Sequence, residues 1–187
     1  MFKNIFNVVF FICFYLFFLS FEVQAQKIIR PKEKSSPVGL AIYKNEKNKL
    51  YVKVTYGQPF RKDRTVFGGV VPYGKIWRVG ANEATEVTFT KEVKIGENKI
   101  KAGTYTLFAI PEKDKWTILL NTELGQWGTY SYEANKDKNI LTYEVKTGAL
   151  PDIYEALTFS FEEIQGGVEL VVIWEQVRVA IPIAFLQ

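Results

Sequence analysis

The sequence predicts an all-β fold, namely an antiparallel two-sheet sandwich or jelly roll of about ten strands with little helix. A closed β-barrel is the alternative. Three observations favour this class. Short runs rich in Val, Ile, Thr, Tyr and Phe recur between turn residues from Val38 onward. Several of these runs alternate apolar and polar side chains, and no window shows a sustained helical period.

The candidate strands follow one another at short intervals along the chain. They cover residues 38–43, 50–56, roughly 85–90, 92–95, 104–110, 116–121, 140–146, 154–161, 168–174 and 177–183. Alternation is clearest in the second run, where four apolar side chains would share one face: Leu50, Val52, Val54 and Tyr56. Turn-forming residues predict hairpins at 45–48, 96–98, 111–114 and 165–167.

The first 25 residues have the pattern of a secretory signal peptide. Lys3 supplies the positive charge, an apolar run covers 5–19, and Val23 and Ala25 are small residues of the kind that signal peptidase accepts. We therefore predict cleavage after Ala25, a periplasmic or secreted location, and no stable membrane insertion afterwards. An uncleaved anchor is the alternative, although the apolar run is shorter than the ~20 residues that span a bilayer.

Cleavage would leave a flexible leader at 26–36 and a single β domain at 37–187. It would also remove Cys13, which is the only cysteine, and the chain has no histidine. Disulfides, thiolate nucleophiles, serine–histidine triads and histidine-bound metals are thereby excluded from the mature protein. Phosphate-loop, dinucleotide and calcium-loop motifs are absent from the sequence, so we expect no cofactor and no metal.

The charge pattern argues against nucleic-acid binding. The net charge is only +4, and lysines alternate with glutamates along the chain instead of forming a one-sided basic stripe. Such mixing is typical of a solvated protein surface.

Two segments, 57–84 and 122–139, depart from the strand pattern but carry several aromatic residues. Long irregular segments in compact domains are usually binding loops or covers over a sheet edge. These segments therefore hold the best candidates for a functional site.

The densest group of unusual side chains is the run Trp77–Thr85. Arg78, Asn82 and Glu83 provide a permanent cation, an amide and a carboxylate. Two interpretations stay open. Arg78 and Glu83 form a structural ion pair while Asn82 satisfies loop amides, or all three line a ligand pocket whose apolar wall is Trp77 or Trp127. A bulge at Gly80 would decide which sheet face Glu83 takes.

Two further carboxylates are candidates for chemistry. Glu175 lies between the last two predicted strands, where it would pair with Arg178 across a turn. Glu155 lies near the start of an apolar strand. Since paired carboxylates hydrolyse glycosides, Glu83 with Glu175 or Glu155 would be the catalytic set of a hydrolase.

Several runs make the chain similar to the bacterial domain of unknown function 2911 family. They are 56–59, Arg64, 66–85, 102–111, Trp116, Asn121, 126–128 and Trp174-Glu175, and the most specific is Trp-Arg-x-Gly-Ala-Asn-Glu-Ala-Thr at 77–85. The resemblance covers most of the predicted mature chain. It implies an exported β-rich protein of Gram-negative bacteria, and it implies no activity.

Three functions follow as hypotheses. The leading one is a non-catalytic module that binds a small polar or sugar-like ligand through Trp77, Arg78, Asn82, Glu83 and Trp127. The alternatives are a carboxylate-dependent hydrolase and a structural or assembly protein that binds through an exposed sheet edge. The sequence leaves the ligand and the oligomeric state open.

Overall fold

The computed structural model describes residues 36–47 and 49–186. The predicted signal peptide, Cys13 and the leader up to residue 35 lie outside this described part. The described elements are β1 (Val38–Asn45), β2 (Leu50–Gly57), β3 (Glu86–Phe89), β4 (Val93–Ile95), β5 (Asn98–Ile100), β6 (Gly103–Pro111), β7 (Lys115–Asn121), α1 (Tyr132–Asn135), a 3-10 turn (Lys136–Lys138), β8 (Asn139–Ile164) and β9 (Gly167–Phe185). Within these ranges no helix is both long and apolar enough to cross a bilayer.

The nine strands form one antiparallel sheet in the order β1-β2-β3-β6-β7-β8-β9-β4-β5. The all-β antiparallel prediction is confirmed, and the single short helix agrees with it. The barrel alternative is wrong, because the sheet is not closed. All four predicted turns join paired strands, in the β1–β2, β4–β5, β6–β7 and β8–β9 hairpins.

The two halves of the sheet share strand β8. Its first part pairs with β7 and its second part with β9. The sequence predicts two strands in each of β8 and β9, at 140–146 and 154–161 and at 168–174 and 177–183. The chain instead continues through register shifts between Ala149 and Tyr154 and between Tyr154 and Thr158. Such irregularities bend a strand without ending it.

The core contains buried residues of all nine strands, and its aromatic contacts join β1–β2 to the second part of β8, which are not hydrogen-bonded neighbours. Tyr43 of β1 packs on Phe161 at 5.8 Å between ring centroids, and Tyr56 of β2 packs on Phe159 at 4.6 Å. The alternation predicted in β2 is confirmed, since residues 50, 52, 54 and 56 are buried and those between them are half-exposed. Alternate side chains of one strand therefore fill this core.

An aromatic group, here called the indole cluster, extends the core towards one end of the sheet. It consists of Phe67, Trp77, Trp116 and Trp174, all buried. The rings of Trp77 and Trp174 stack with centroids 6.1 Å apart at 19°, and Trp116 meets Trp77 edge-on at 5.6 Å. Since aromatic pairs in such geometries add to the energy of burial, the cluster gives the neighbouring loops a rigid base.

Candidate functional site

A cavity of about 340 Å³ opens beside the indole cluster, and we call it the first cavity. The 59–64 loop, the 77–82 loop and Trp174 converge on it. Its described lining is Ser36, Pro59, Phe60, Lys62, Arg64, Val70, Val71, Trp77, Arg78, Gly80, Ala81, Asn82 and Trp174. The volume is near the lower end of the ~300–1,000 Å³ range of small-molecule pockets.

The 77–82 loop is held by backbone hydrogen bonds at both ends. Trp77 exchanges bonds of 2.7 and 2.9 Å with Ala109 of β6, and the Ala81 N–H donates to the Gly57 carbonyl at 3.1 Å. In the middle of the loop, the buried Thr85 hydroxyl donates to the Val79 carbonyl at 2.8 Å. These bonds fix the loop backbone, so the side chains that it presents to the cavity are preorganised.

The 59–64 loop is tied to strand β8. The Leu157 N–H donates to the Pro59 carbonyl at 3.0 Å, and the Arg61 N–H donates to the Glu155 carbonyl at 2.7 Å. The Lys62 N–H donates to the Glu155 carboxylate at 2.7 Å. Glu155 therefore acts as a clamp on this loop.

Arg64 is held in a fixed orientation at the mouth of the first cavity. Its Nε donates to the Arg61 carbonyl at 2.9 Å and its Nη2 to the Phe60 carbonyl at 2.7 Å. A guanidinium has five N–H donors, so these two bonds leave others for a ligand. No ion pair of Lys62 or Arg64 occurs within the described residues.

Arg78 is the most unusual side chain of the lining. It is half-buried, and its Nε is shielded from solvent without a hydrogen-bond partner among the described residues. Burial lowers the pKa of Arg78, an effect that the nearby Tyr130 phenol opposes. The guanidinium nevertheless stays charged at neutral pH, because an arginine pKa lies far above 7. The described lining thus includes a cation whose Nε has no hydrogen-bond acceptor among the described residues.

The Gln126–Gly128 segment passes close to this guanidinium. A Cβ atom added to Gly128 would lie 3.9 Å from Nη1 of Arg78, and the Gly128 backbone has a φ of +65°. The Gly128 N–H donates to the Asn82 carbonyl at 3.0 Å. The second irregular segment of the sequence therefore packs on the 77–82 loop from the outside.

Strained backbone is concentrated around the first cavity. Five of the six non-glycine residues with positive φ among the described residues either line the cavity or adjoin a lining residue in sequence: Lys62, Asp63, Val79, Asn82 and Glu175. Val79, at φ 50° and fully buried, is the most unfavourable case because it is β-branched. Strain of this kind costs about 1–3 kcal/mol per residue and clusters at functional sites.

The structure divides the predicted ligand-binding set. Trp77, Arg78 and Asn82 line the first cavity. Glu83 is exposed and lines a second cavity of about 250 Å³, which shares Asn82 with the first. Trp127 forms a β-bridge with Glu83, and about half of its side-chain surface is exposed. Neither Glu83 nor Trp127 belongs to the described lining of the first cavity.

Neither ion pair considered from the sequence forms among the described residues. The Arg78 Nε has no hydrogen-bond partner there, and the ion pairs of the described residues do not include one between Arg78 and Glu83. Glu175 lies 3.6 Å from Nε of Arg61, whereas Arg178 binds Glu162 and Glu169 at 2.7 and 3.2 Å. Positions 175 and 178 belong to one continuous strand and not to a turn. Residues three apart on a strand point to opposite faces.

The other candidate carboxylates, Glu155 and Glu175, lie on the outer side of the 59–64 loop. Their contacts to Lys62 and Arg61 hold the loop, and neither carboxylate belongs to the described lining. The described residues contain no group of three or more acidic, cysteine or histidine side chains that would hold a metal. The described lining therefore contains three cationic side chains and no carboxylate.

Sequence reasoning missed several residues of the first cavity. The additional lining residues include Phe60, Lys62, Arg64, Val70, Val71 and Trp174. The available signal was the Arg61-Lys62-Asp63-Arg64 run inside the first irregular segment. A local run of charged residues does not show which residues distant in sequence lie next to it. The sequence alone therefore could not predict that Lys62 and Arg64 share a cavity with Trp174.

Comparison with known proteins gives a family and nothing more specific. A family model described as "Protein of unknown function (DUF2911)" matches residues 36–183. The comparisons with curated proteins and with solved structures found no match. The matched range includes every described residue that lines the first cavity.

Proposed function

The chain belongs to the DUF2911 family of proteins of unknown function, and on that premise we propose that it is a non-catalytic module that binds a small polar ligand in the first cavity. The proposal keeps Trp77, Arg78 and Asn82 as ligand contacts. Glu83 and Trp127 would touch only a ligand long enough to extend past Asn82 into the second cavity. The predicted signal peptide supports a periplasmic or secreted site of action.

The observation that carries this proposal is the strained backbone around the cavity. Val79 and Asn82 lie in the loop that presents Arg78, and both have left-handed φ values. A buried valine in this conformation costs free energy that the rest of the fold must offset, and such strained residues cluster at functional sites. We infer that the strained backbone at Val79 and Asn82 is retained because it holds Arg78 and Asn82 in position in the cavity wall.

The chemistry of the lining is also that of a ligand site. Phe60 and Val70 provide accessible apolar surface beside the buried Trp77 and Trp174, and Arg78 and Asn82 provide directional polar groups. Small-molecule sites combine mostly apolar walls with a few fixed polar groups in this way. Sugar-like molecules suit the combination because they have both apolar faces and hydroxyl groups.

The proposal is tested by filling the mouth of the cavity. Val70 is 44 % exposed and lines the first cavity, so Val70→Trp adds bulk at the mouth without disturbing the core. We expect every ligand that a thermal-shift screen detects with the parent protein to bind about tenfold more weakly or worse. The melting temperature of the unliganded variant should change by about 2 °C or less.

Val38→Trp is the matched control. Val38 is an exposed valine that lines the second cavity instead of the first. This variant should keep the affinity of ligands held in the first cavity. Ligands that bind the Val70→Trp protein as tightly as the parent protein would show that the site is elsewhere.

The hydrolase alternative has weaker support. Its candidate residues Glu83, Glu155 and Glu175 lie outside the described lining of the first cavity, and Glu155 is occupied in holding the 59–64 loop. An acid and a base must both reach the same scissile bond. Loss of turnover in Glu83→Gln with an intact fold would be the result that favours this alternative.

One observation favours assembly as a second candidate function. Strand β1 is an edge strand, and Val38, Leu40 and Ile42 are exposed on one of its faces at 68 %, 58 % and 44 %. Exposed apolar edges favour pairing with another chain. If a second copy pairs there, Leu40→Lys should convert a dimer to a monomer in sedimentation velocity, whereas Lys53→Glu on β2 should not. A monomeric parent protein would exclude self-assembly through β1.

A further inference from the structure

The cationic side chains of the first cavity have no acidic partners in the described part of the chain. The carboxylates nearest to the 59–64 loop are engaged elsewhere, because Asp63 and Glu175 face Arg61 and Glu155 accepts the Lys62 N–H. Lys62, Arg64 and Arg78 all belong to the lining. The described lining therefore carries three positive charges and no negative one, a pattern that favours an anionic ligand.

Exposed lysines without an ion-pair partner are common on protein surfaces, so Lys62 alone does not indicate an anion site. Arg78 is the more informative residue because it is half-buried. Its Nε atom is shielded from solvent and donates to no described group. Buried polar atoms are almost always hydrogen-bonded, and a buried charge is costly unless an opposite charge faces it. The described residues supply no opposite charge to Arg78, so an anion bound in the cavity would provide the charge that this side chain lacks.

The remaining wall determines what the rest of such a ligand looks like. Phe60 and Val70 are the apolar lining residues with substantial accessible surface, whereas Trp77, Trp174 and Val71 are almost fully buried. A bare inorganic ion would leave the exposed parts of Phe60 and Val70 in contact with water. A ring or short chain attached to the anionic group would cover them.

Resting on the proposed function, we infer that the ligand of the first cavity is a small organic anion. Its carboxylate or phosphate group is bound by Arg78 with help from Lys62 and Arg64, and its body packs on the exposed surfaces of Phe60 and Val70 beside Trp77. An acidic sugar has both features. Arginine suits the central role because its planar N–H groups match the oxygens of a carboxylate or phosphate.

The test compares three probes of similar size: glucuronate, a glucose phosphate and neutral glucose. Proton–nitrogen correlation spectra of the purified protein report the Arg78 Nε–H and the indole N–H groups of Trp77 and Trp127. With ionic strength matched by sodium chloride, both charged probes should shift the Arg78 and Trp77 signals saturably. Glucose should bind about tenfold more weakly or worse. The tighter of the two charged probes identifies the carboxylate or the phosphate as the preferred group.

Two variants test whether binding of the charged probes depends on Arg78 and Lys62. Arg78→Gln should remove the preference for glucuronate over glucose, and Lys62→Gln should reduce both the affinity and its dependence on salt. Lys113→Gln, on the exposed turn between β6 and β7, removes the same charge away from the cavity and should change neither.

The outcomes separate this inference from the proposed function. If glucose and glucuronate shift the cavity signals equally, the inference that the ligand is an anion is wrong, although the first cavity would still be a binding site. If the charged probes shift only signals outside the first cavity, or if none of the three shifts the Arg78 and Trp77 signals at about 20 mM, the anion is excluded. Binding losses in Val70→Trp would then show independently whether the cavity binds something else.

Discussion

Replacing Arg78 by methionine is expected to stabilise the ligand-free protein while it abolishes binding of glucuronate in the first cavity. Arg78 is half-buried and has no opposite charge among the described residues, and burial lowers its pKa. A pKa that is lower in the folded state than in the unfolded state means that the charged side chain opposes folding at neutral pH. Methionine keeps the apolar stem and removes the charge.

The gain should be about 1 kcal/mol in the free energy of unfolding, since solvent screens part of the cost of a half-buried charge. That corresponds to a rise in melting temperature of about 3 °C for a domain of this size. Scanning calorimetry with and without glucuronate measures both effects. The parent protein should be stabilised by the ligand, and Arg78→Met should not be.

Arg64→Met is the informative comparison, because it removes the same charge from the same cavity. The Arg64 guanidinium donates to two loop carbonyls, so its loss should destabilise the protein by about 1 kcal/mol. Opposite signs for the two variants would show that Arg78 is kept for binding and Arg64 also for structure. A destabilised Arg78→Met would mean that Arg78 is part of the structural framework and that the binding argument is wrong.

The sequence predicts strands well where one face of the strand is buried and the other is exposed to solvent. In β2, alternation places Val52 and Val54 in the core, and the structure agrees. It predicts badly where a strand bends. Residues 147–153 of β8 and 175–176 of β9 fall between predicted strands, yet the hydrogen-bonded ladder continues on both sides of them. Bulges leave no alternation signal of their own.

The same limit applies to the site. The unusual composition of the Trp77–Thr85 run identified three lining residues, because a cation, an amide and an indole seldom occur together by chance. The sheet face that Glu83 takes could be predicted only if strand β3 extended towards the N-terminus as far as Glu83. The structure starts β3 at Glu86, so strand parity does not apply to Glu83. The contribution of Lys62 depends on a loop that is fixed by β8, nearly a hundred residues later in sequence.

Gly57→Ala is expected to be the most damaging small substitution outside the aromatic core. Gly57 ends strand β2, and a Cβ atom there would clash with the carbonyl oxygen of Ala81. This carbonyl is backbone in the 77–82 loop and cannot rotate away like a side chain. The loop must move, which would break the hydrogen bond from the Ala81 N–H to the Gly57 carbonyl.

We expect Gly57→Ala to lose about 3 kcal/mol in the free energy of unfolding, at the upper end of overpacking effects. The melting temperature should fall by about 10 °C, and displacement of the 77–82 loop should weaken ligand binding in the protein that stays folded. Chemical denaturation and the Trp77 indole signal measure the two effects.

Gly148→Ala provides the control within the same sheet. A Cβ atom at Gly148 would meet nothing closer than 3.7 Å, and its backbone does not need a left-handed φ. Alanine should therefore be neutral or stabilise the protein by about 0.5 kcal/mol, since it reduces the freedom of the unfolded chain. A Gly57→Ala protein as stable as Gly148→Ala would show that the 77–82 loop yields at no cost. The strained geometry of Val79 and Asn82 would then not be fixed by the fold, and the cavity would lose the rigidity on which the binding proposal depends.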